Sequence, residues 1–480
     1  MKRTASGILL LFIGSIFIQG QLQNPDFETT ENSLPSGWDC KASDLYDIKT
    51  DPTIQYSGQN SLLIASKAAD ASGNMLLFSQ TFPAPGKGLR RIRLSGFIKS
   101  ENVKDEILLW AHIINTGKKI ISKGNSQNQS NPVTLNADWK EYSLEFIIDD
   151  QAKDITFGGY LSGNGKVWFD HFSVSEVPFS DKASSKQALS YIDDFKSIVK
   201  KNSIFKEKIN WNDLNSNLQK ISKGMETLED TYPAIQYIMN TLREAGDNHS
   251  FIDSKETAAQ KSTSNPVGKE PEARLLEEKI GYIMVPAFGS LNKEVGNEFA
   301  LKIQNMIRKL DTENNLKGWI VDLRNNMGGN MYPMIVGLGP LTGEGELGYF
   351  KDNKSKQSWK YEKGKSSVTS VTAPYILKKN DLKIAVLIGP NTASSGEIAA
   401  ISFIGKPNAK TFGQPSAGYT SGNRLFVLKD RRNLLLATSY EMDRTGKEYI
   451  ENIQPDVMIQ PSENKDSDPD IPVASKWILE

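Results

Sequence analysis

The spacing of the apolar residues changes once along the chain, near residue 180, and this change constrains the fold more than any other feature. Residues 22–178 contain short runs rich in β-branched and aromatic residues, separated by Gly, Asn and Asp clusters. After the polar segment 180–186, apolar residues recur three and four positions apart, as on one face of a helix. The 480 residues are enough for several domains. We therefore predict a multidomain protein with a β-rich part followed by a helical and α/β part.

Residues 22–178 are predicted to form an all-β sandwich. The strand candidates are M75-L-L-F-S-Q-T-F82, R91-I-R-L-S-G-F-I98, E106-I-L-L-W-A-H-I-I114, Y142-S-L-E-F-I-I148 and V167-W-F-D-H-F-S-V174. The opening N24-P-D-F-E28 and the closing strand resemble jelly-roll modules of the carbohydrate-binding type. This resemblance implies a jelly-roll-like fold and makes glycan or cell-envelope contact one candidate role. A spacer or docking module is the alternative, because most aromatic side chains in a sandwich belong to its core.

The second part divides into four segments. We predict a small helical domain over 186–252, a loop or flap over 253–272, an α/β core over 273–465 and a polar C-terminal tail over 466–480. The α/β core is indicated by buried-strand patterns that alternate with an amphipathic helix: I280-G-Y-I-M-V-P-A-F288, the helix from Val295 to Leu310, G318-W-I-V-D-L323 and I384-A-V-L-I388.

Residues 1–20 have the pattern of a secretory signal peptide. Two basic residues, Lys2 and Arg3, precede a short apolar stretch that ends in small and polar residues. A membrane anchor is the alternative, but the apolar stretch is short for a span. We expect an exported protein that is periplasmic, on the cell surface or secreted. No later run reaches about 18 apolar residues, so we expect no transmembrane span in the mature chain.

Charge and cysteine content exclude several classes of function. Lys+Arg and Asp+Glu both number 57, so bulk charge attracts neither nucleic acid nor an anionic membrane surface. Cys40 is the only cysteine, which leaves no intrachain disulfide and no cysteine-based metal site. No H-E-x-x-H motif occurs, and we expect neither a metal nor another cofactor.

The stretch G389-P-N-T-A-S-S-G-E-I-A-A400 carries the first sign of chemistry. It connects a predicted strand to a predicted helix, and Ser394 followed by Glu397 has the spacing of a capping box. Such a box is usually structural. A nucleophilic serine would also need a base, a group that orients the base, and N–H donors for the oxyanion.

Five motifs supply those partners in order along the chain. They are G246-D-N-H-S-F-I252, V321-D-L-R-N-N-M-G-G329, N391-T-A-S-S-G-E397, G413-Q-P-S-A-G418 and Y449-I-E-N-I-Q-P-D-V457. Over residues 186–460, this series resembles the C-terminal-processing, or tail-specific, serine peptidase family. The resemblance implies a crotonase-like ββα spiral for the core, and hydrolysis of peptide bonds in peptides or unfolded proteins as the activity.

The family has two catalytic arrangements, and the residues present decide between them. Tyr419 stands where the Ser/Lys branch has its Lys, and a phenol is a poor substitute for that base. The resemblance is therefore to the tricorn-like Ser/His/Glu branch, without a PDZ domain. It assigns the nucleophile to Ser394, the base to His249 and the orienting carboxylate to Glu451. Asp456 is the alternative orienting group.

The remaining site residues follow from the same resemblance and from helix electrostatics. The oxyanion donors are expected to be the backbone N–H of Ser395, at a helix N-terminus, and one from Gly328 or Gly329. Ser395 is also the alternative nucleophile.

The neighbours of the two proposed catalytic side chains complete the predicted set. Asn248 and Ser250 flank His249 and are candidates for holding the imidazole or the tetrahedral intermediate. Glu397 is expected to cap the helix that follows Ser394.

Two other functions remain open at this stage. The first is a non-catalytic ligand- or glycan-binding surface protein on the same fold. The second is a different serine hydrolase, but no G-x-S-x-G elbow is present. The S-x-x-K run S203-I-F-K206 lacks the strand–turn–helix setting that such a nucleophile needs.

Overall fold

The fold is taken from a computed structural model, which describes residues 16–17, 22–41, 43–67, 71–127, 129, 131–253, 269–352, 354–462, 464 and 467–480. The chain divides into two compact units. The first contains residues 1–197 and 208–246, and the second contains residues 198–207 and 247–480.

Thirteen strands precede the first helix among the described residues. They are β1 (Ile16–Phe17), β2 (Thr30–Glu31), β3 (Leu34–Pro35), β4 (Asp39–Cys40), β5 (Tyr46–Asp51), β6 (Ser61–Ser66), β7 (Met75–Pro83), β8 (Arg90–Glu101), β9 (Glu106–Asn115), β10 (Ile120–Asn125), β11 (Lys140–Ile148), β12 (Ala152–Ser162) and β13 (Lys166–Val177). One antiparallel sheet has the order β11-β8-β13-β6-β5, with β1 on β13, and a second has the order β10-β9-β12-β7-β4.

The two sheets enclose one hydrophobic core. Ile92 and Leu94 of β8, and Ile155 and Phe157 of β12, are fully buried at alternate or near-alternate positions along their strands. Many of the aromatic side chains, including Phe27, belong to the same core, as expected for a sandwich. The predicted β-sandwich is confirmed, while its jelly-roll connectivity and any glycan contact stay predictions.

Three helices follow the sandwich in the chain: α1 (Lys186–Asn202), α2 (Trp211–Ile221) and α3 (Tyr232–Glu244), with single 3₁₀ turns at Lys206–Lys208 and Glu229–Thr231. All three lie within the segment 186–252 that was predicted to be helical. Pro233 lies in the first turn of α3, where its missing N–H costs no helical hydrogen bond. The sequence assigned 186–252 to a domain of its own, whereas in the structure residues 208–246 group with the sandwich.

The second unit contains the remaining strands. They are β14 (Phe251–Asp253), β15 (Glu272–Leu276), β16 (Ile280–Met284), β17 (Gly318–Asp322), β18 (Gly345–Lys351), β19 (Lys356–Tyr361), β20 (Lys365–Ser366), β21 (Thr369–Ser370), β22 (Lys383–Ile388), β23 (Ala409–Gly413), β24 (Ser421–Val427), β25 (Asn433–Asp443), β26 (Glu448–Tyr449) and β27 (Val457–Met458).

A mostly parallel sheet of order β15-β16-β17-β22-β23-β27 forms the base of this unit. Only its β15–β16 pair is antiparallel. A second, antiparallel sheet of order β14-β25-β18-β19 has β24 and β26 paired with β25. Strands β24 and β25 form an antiparallel hairpin. The predicted α/β core is thus confirmed. The polar turns after β17 and β22 begin at the ends of two adjacent parallel strands.

The described residues of the second unit form four further helices: α4 (Lys293–Glu313), α5 (Met331–Thr342), α6 (Ser395–Ile401) and α7 (Asp470–Leu479), with a 3₁₀ turn at Glu277–Lys279. The prediction of a polar tail over 466–480 is wrong for residues 470–479. Ala474 and Ile478 of α7 are buried against the parallel sheet, together with Phe412 of β23. The apolar spacing in I471-P-V-A-S-K-W-I478 could have indicated this helix.

Parts of two predictions lie outside the described residues. Of the predicted signal peptide, only Ile16 and Phe17 are described, and they pair with Glu176 and Ser175 of β13. Of the predicted loop over 253–272, residues 254–268 are not described, and Glu272 begins β15. In the part of the chain that is described, no helix combines the length and the apolar character needed to cross a membrane.

Candidate active site

Ser394 lies at the junction between β22 and α6, as the sequence predicted. Its φ is +53°, a conformation that costs a non-glycine residue free energy and that clusters at functional sites. The Glu397 half of the predicted capping box forms, because Glu397 Oε2 accepts the backbone N–H of Ser394 at 2.8 Å. Ser394 therefore occupies a strained turn, with its position fixed by the first turn of the helix.

His249 is positioned through its backbone. Asp247 Oδ1 accepts the N–H groups of His249 (3.1 Å) and Ser250 (2.8 Å), which closes a tight turn. Asn423 of β24 donates its Nδ2–H to the carbonyl of His249 at 3.0 Å. These contacts hold the base from the turn on one side and from the antiparallel sheet on the other.

The imidazole connects Ser394 to Ser421. His249 Nε2 lies 3.0 Å from Ser394 Oγ, while Nδ1 lies 2.9 Å from the carbonyl oxygen and 3.0 Å from Oγ of Ser421. A carbonyl can only accept, so Nδ1 of a neutral imidazole must carry the proton. Nε2 is then the acceptor that faces the hydroxyl of Ser394. This is the tautomer that a general base for this serine requires.

Tyr419 covers one face of the base. Its ring stacks on the imidazole of His249, with centroids 5.4 Å apart and ring planes 7° from parallel. Burial lowers the pKa of His249 to about 4, against the opposing effect of the hydrogen bond to the Ser421 carbonyl. The imidazole is therefore neutral at physiological pH and able to take a proton.

The predicted role of Glu451 is wrong in this structure. Within the described chain, Nδ1 of His249 bonds to Ser421 and makes no contact with a carboxylate. Glu451 has an exposed side chain, and its backbone carbonyl accepts a hydrogen bond from Thr420 Oγ1 at 2.9 Å. The alternative, Asp456, is instead bonded to the N–H and Oγ1 of Thr411. The physical reason is that the chain passes Ser421 across the imidazole and fills that position.

Glu397 does more than cap a helix. Its carboxylate is fully buried and accepts from the Ser416 hydroxyl and from the backbone N–H groups of Ser394, Gly418 and Tyr419. Burial raises the pKa of Glu397, and these four donors oppose the rise. One carboxylate thus joins the turn that carries the nucleophile to the segment that carries Tyr419.

Two backbone N–H groups remain for the oxyanion. Those of Ser395 and Gly329 have no acceptor among the described residues, whereas the N–H of Gly328 donates to Asn326 Oδ1 at 3.0 Å. Of the two glycines that the sequence left open, Gly329 is therefore the candidate donor. Ser395 Oγ donates to the Gly329 carbonyl at 2.6 Å, which favours Ser394 as the nucleophile.

Gly328 allows the Gly-rich turn after β17 to lie close to the turn that carries Ser394. Its φ is +99°, and a Cβ at this position would lie 2.9 Å from Ser394 Cβ and 3.0 Å from the nitrogen of Ser395. Asn326, fully buried, holds the same turn: its carbonyl accepts from Ala393 N, and its Nδ2 donates to the Val285 carbonyl. The Gly-rich turn after β17 and the serine turn after β22 therefore form one rigid assembly.

The two residues flanking His249 do not touch its ring. Asn248 is exposed and makes no hydrogen bond among the described residues, and Ser250 Oγ donates to Asp247 Oδ2 and accepts from Ala437 N. Sequence reasoning missed Ser421, Asn326 and the stacking role of Tyr419. Their spacing in the sequence does not distinguish them. Each of them reaches the site only because segments that are distant in the sequence pack together in the fold.

Comparison with known proteins gives one family and several relatives. Residues 279–459 match the family model described as peptidase family S41. The chain is 31% identical over 298 residues to the nisin-resistance protein of Lactococcus lactis subsp. lactis, a match that spans 61% of this chain and 87% of that protein.

Solved structures give weaker likenesses. A lipoprotein from Streptococcus agalactiae is 27% identical, with a TM-score of 0.49, over 62% of this chain and 97% of that chain. A photosystem II D1 C-terminal processing protease is 13% identical, with a TM-score of 0.42, over 58% of this chain and 94% of that chain.

Proposed function

The chain belongs to peptidase family S41, and from this membership we propose that it is an exported serine peptidase that hydrolyses peptide bonds through an acyl-enzyme at Ser394. One observation carries the proposal: Nε2 of His249 lies 3.0 Å from Ser394 Oγ, and the Ser421 carbonyl on Nδ1 leaves Nε2 unprotonated. A nucleophile and a base within hydrogen-bond reach, with the base oriented by a third group, are what acyl transfer needs.

The first half of the reaction forms the acyl-enzyme. Ser394 Oγ attacks the peptide carbonyl carbon, and its proton passes to Nε2 of His249. The carbonyl oxygen becomes an oxyanion within reach of the N–H groups of Ser395 and Gly329. When the tetrahedral intermediate collapses, the C–N bond breaks and Nε2 returns the proton to the departing amine.

The second half releases the acid. A water molecule gives a proton to Nε2 and attacks the ester carbon, and the intermediate expels Ser394 Oγ, which recovers the proton. Throughout both halves, the imidazolium that forms transiently donates its Nδ1–H to the Ser421 carbonyl. A neutral acceptor stabilises this cation less than a carboxylate would. The proposed enzyme is therefore a Ser/His dyad supported by a backbone carbonyl.

The proposed substrates are peptides or unfolded proteins. The nucleophile lies in a turn between secondary structure elements, and a peptide bond must enter it with its carbonyl carbon beside Oγ, which a folded chain does not offer. The Lactococcus lactis relative is named for nisin resistance, so nisin is one of the substrates to assay. Export is proposed from the pattern of residues 1–20 alone.

For the β-sandwich we propose glycan contact through a group of rings at the surface, of which Tyr56 and His171 are exposed and Phe97 and Trp139 partly buried. Tyr56 is 45% exposed and stacks on Phe97 with centroids 3.6 Å apart, beside Trp139 and His171. Aromatic rings of this kind suit the apolar faces of sugars. Binding of the full-length protein to a polysaccharide array should fall with Tyr56→Ala and Trp139→Ala. Glycan binding that persists in both variants would contradict a role for these rings in glycan contact.

Peptide cleavage with single variants tests the proposed function. Ser394→Ala and His249→Ala should each lower kcat by about 10³-fold or more, because the two side chains act as a unit. His112→Ala, which removes a histidine of β9 in the first unit, is the matched control and should leave kcat unchanged. Cleavage that persists in both site variants would contradict the assignment, and a wild-type protein that cleaves no peptide but binds one would favour the non-catalytic alternative.

A further inference from the structure

Glu441 is a buried acidic residue whose carboxyl group lacks a hydrogen-bond partner in the part of the chain that is described. It lies in β25 and is fully buried, and neither of its carboxyl oxygens has a hydrogen-bond partner among the described residues. Burying an ionised carboxylate without a partner is so costly that such groups usually become neutral. The ladder of β25 alone does not account for an acid here, because any residue of similar size could form the same backbone bonds.

Among the described residues, no cation acts on Glu441, and Lys351 of β18 bonds instead to Glu448 of β26. In the sheet register, Phe350 of β18 and Tyr449 of β26 are its cross-strand neighbours. The Tyr449 hydroxyl donates to Asp443 Oδ2 at 2.9 Å, and burial together with Asp443 raises the pKa of this phenol, so it is neutral. The charged group that acts on Glu441 is a second acid, Glu397 of α6.

The two acids are joined through the segment that holds the base. Glu397 Oε2 accepts the N–H of Tyr419 at 2.9 Å, and the backbone N–H of Glu441 donates to the carbonyl of Thr420 at 3.3 Å. The next residue is Ser421, which binds Nδ1 of His249. Residues 418–421 thus run between the two carboxyl groups, with Tyr419 against one face of the imidazole.

The negative charge belongs on Glu397. Four hydrogen bonds donated to its carboxylate favour the ionised form, and Glu441 has none. Burial raises the pKa of Glu441 well above its usual range, and the charge on Glu397 raises it further. Two interacting carboxyl groups in one site share their titration, and the proton is held by the group that lacks donors.

We propose that Glu441 is a positioning residue that is protonated in the folded protein at neutral pH, so that the pair Glu397–Glu441 carries a single negative charge, and that loss of this proton at alkaline pH turns the peptidase off. The proposal rests on the proposed function, since it concerns regulation of the same site.

The mechanism is electrostatic. Ionisation of Glu441 would place two negative charges in a buried site without a cation, and the repulsion would act on Glu397. Glu397 holds the Ser394 amide on one side and the Tyr419 amide on the other. A shift of this carboxylate would therefore change the distance between Ser394 Oγ and Nε2 of His249, on which proton transfer depends.

The protonation state can be read without any substrate. Infrared spectra of the wild-type protein at pH 7 should contain the carbonyl band of a protonated carboxylic acid, and the difference spectrum against Glu441→Gln should assign it. Glu448→Gln, at an exposed acid of the neighbouring strand β26, is the matched control and should leave the band in place. A wild-type protein without such a band at pH 7 would overturn the proposal, even if no variant folds.

The consequence for activity is read from the pH dependence of kcat/KM. The wild-type value should fall at least about tenfold on the alkaline side, while Glu441→Gln stays within about twofold of its neutral value over the same range. Glu397→Gln should lose activity at every pH, because an amide cannot accept from four donors. An alkaline limb that persists unchanged in Glu441→Gln would overturn the switch. Absence of peptidase activity in the wild type would defeat the proposed function, and the infrared result would still decide whether Glu441 is protonated.

Discussion

At the residue scale, the site depends on the group that accepts a hydrogen bond from Nδ1 of His249. Ser421 presents a backbone carbonyl to Nδ1 of His249, so no side-chain charge is needed to fix the tautomer. A backbone carbonyl cannot be removed by substitution, whereas the Ser421 hydroxyl at 3.0 Å can be. The tautomer should therefore survive most substitutions around the ring.

This arrangement predicts unequal effects of two substitutions. Ser421→Ala should lower kcat by about tenfold or less, because one neutral hydrogen bond is worth about 1 kcal/mol and the carbonyl remains. Glu451→Gln should leave kcat within about twofold of the wild type, because its side chain is exposed and does not touch the imidazole. Steady-state kinetics on both variants check this. A several-hundredfold loss of kcat in Glu451→Gln would support the sequence-based prediction that the Glu451 carboxylate orients His249.

The acidity of His249 sets the lower pH limit of activity. The base must be neutral, and burial lowers its pKa to about 4, so protonation of His249 should not lower kcat/KM as the pH falls through 6 and should do so only near 4. The sign follows because a lowered pKa keeps the imidazole unprotonated further into the acid range. A pH profile at low substrate concentration measures the limit. An acid limb at the ordinary histidine value would show that the ring is solvated in the working enzyme.

Gly328 and Gly345 form a matched pair for testing close approach. Both have φ near +100°, but a Cβ at Gly328 would crowd Ser394 and Ser395, whereas nothing lies within 4 Å of one at Gly345. Each alanine substitution should cost about 1 kcal/mol or more of stability from the backbone conformation. Only Gly328→Ala should also lower kcat, by about tenfold or more. Equal kcat values in the two variants would contradict the assignment of this turn to the oxyanion site.

At the element scale, α7 is attached to the turn that follows β17 by one guanidinium. Arg324 bonds to both oxygens of Asp322, to both oxygens of Asp468 and to Asp470 at the start of α7. These contacts hold the first residues of the turn that ends in Gly328 and Gly329. Helix α7 therefore stabilises the proposed oxyanion side of the site through a partly buried charge network.

A conservative change at Arg324 should expose this network. Arg324→Lys keeps the charge but loses the planar fork, and it should lower the free energy of unfolding by about 1–3 kcal/mol. Arg93→Lys, in a more exposed pair with Glu145, is the control and should cost less than about 1 kcal/mol. Denaturant titration of both variants measures the difference, and equal costs would show that α7 is held by apolar packing alone.

Most elements could be predicted from the sequence, because they carry their own hydrophobic period. The helix from Val295 to Leu310 and the strand from Ile384 to Ile388 form within a few residues of the predicted bounds. Two helices were missed: α7, whose short apolar pattern lies in a polar, Asp-rich setting, and α5, which is apolar on nearly every face and so lacks a helical period. Ser394, His249 and the Gly-rich turn were likewise predictable from their motifs. Ser421 and Glu441 were not, since they reach the site only through the pairing of β24 with β25.

At the scale of the whole molecule, each compact unit has a hydrophobic core of its own. Phe157 is fully buried in the core of the sandwich, and Trp319 is fully buried beside the parallel sheet of the second unit. Chains with separate cores commonly depart from two-state unfolding. The proposed catalytic pair, Ser394 and His249, lies entirely within the second unit.

Calorimetry should therefore resolve two transitions that respond to different substitutions. Phe157→Ala should lower the Tm of one and Trp319→Ala the Tm of the other, each by a loss of about 3–5 kcal/mol. Peptidase activity should disappear with the transition that Trp319→Ala shifts, because that transition reports the unit with the site. A single transition moved by both substitutions would contradict this description.

Covalent labelling of the purified protein with a fluorophosphonate probe, followed by mass spectrometry of the labelled peptide, tests directly whether His249 activates Ser394 as a nucleophile. Label is expected on Ser394 in the wild type and in His112→Ala, and no label is expected in His249→Ala. Label on Ser395 instead of Ser394, or label on Ser394 that persists in His249→Ala, would contradict a serine activated by His249.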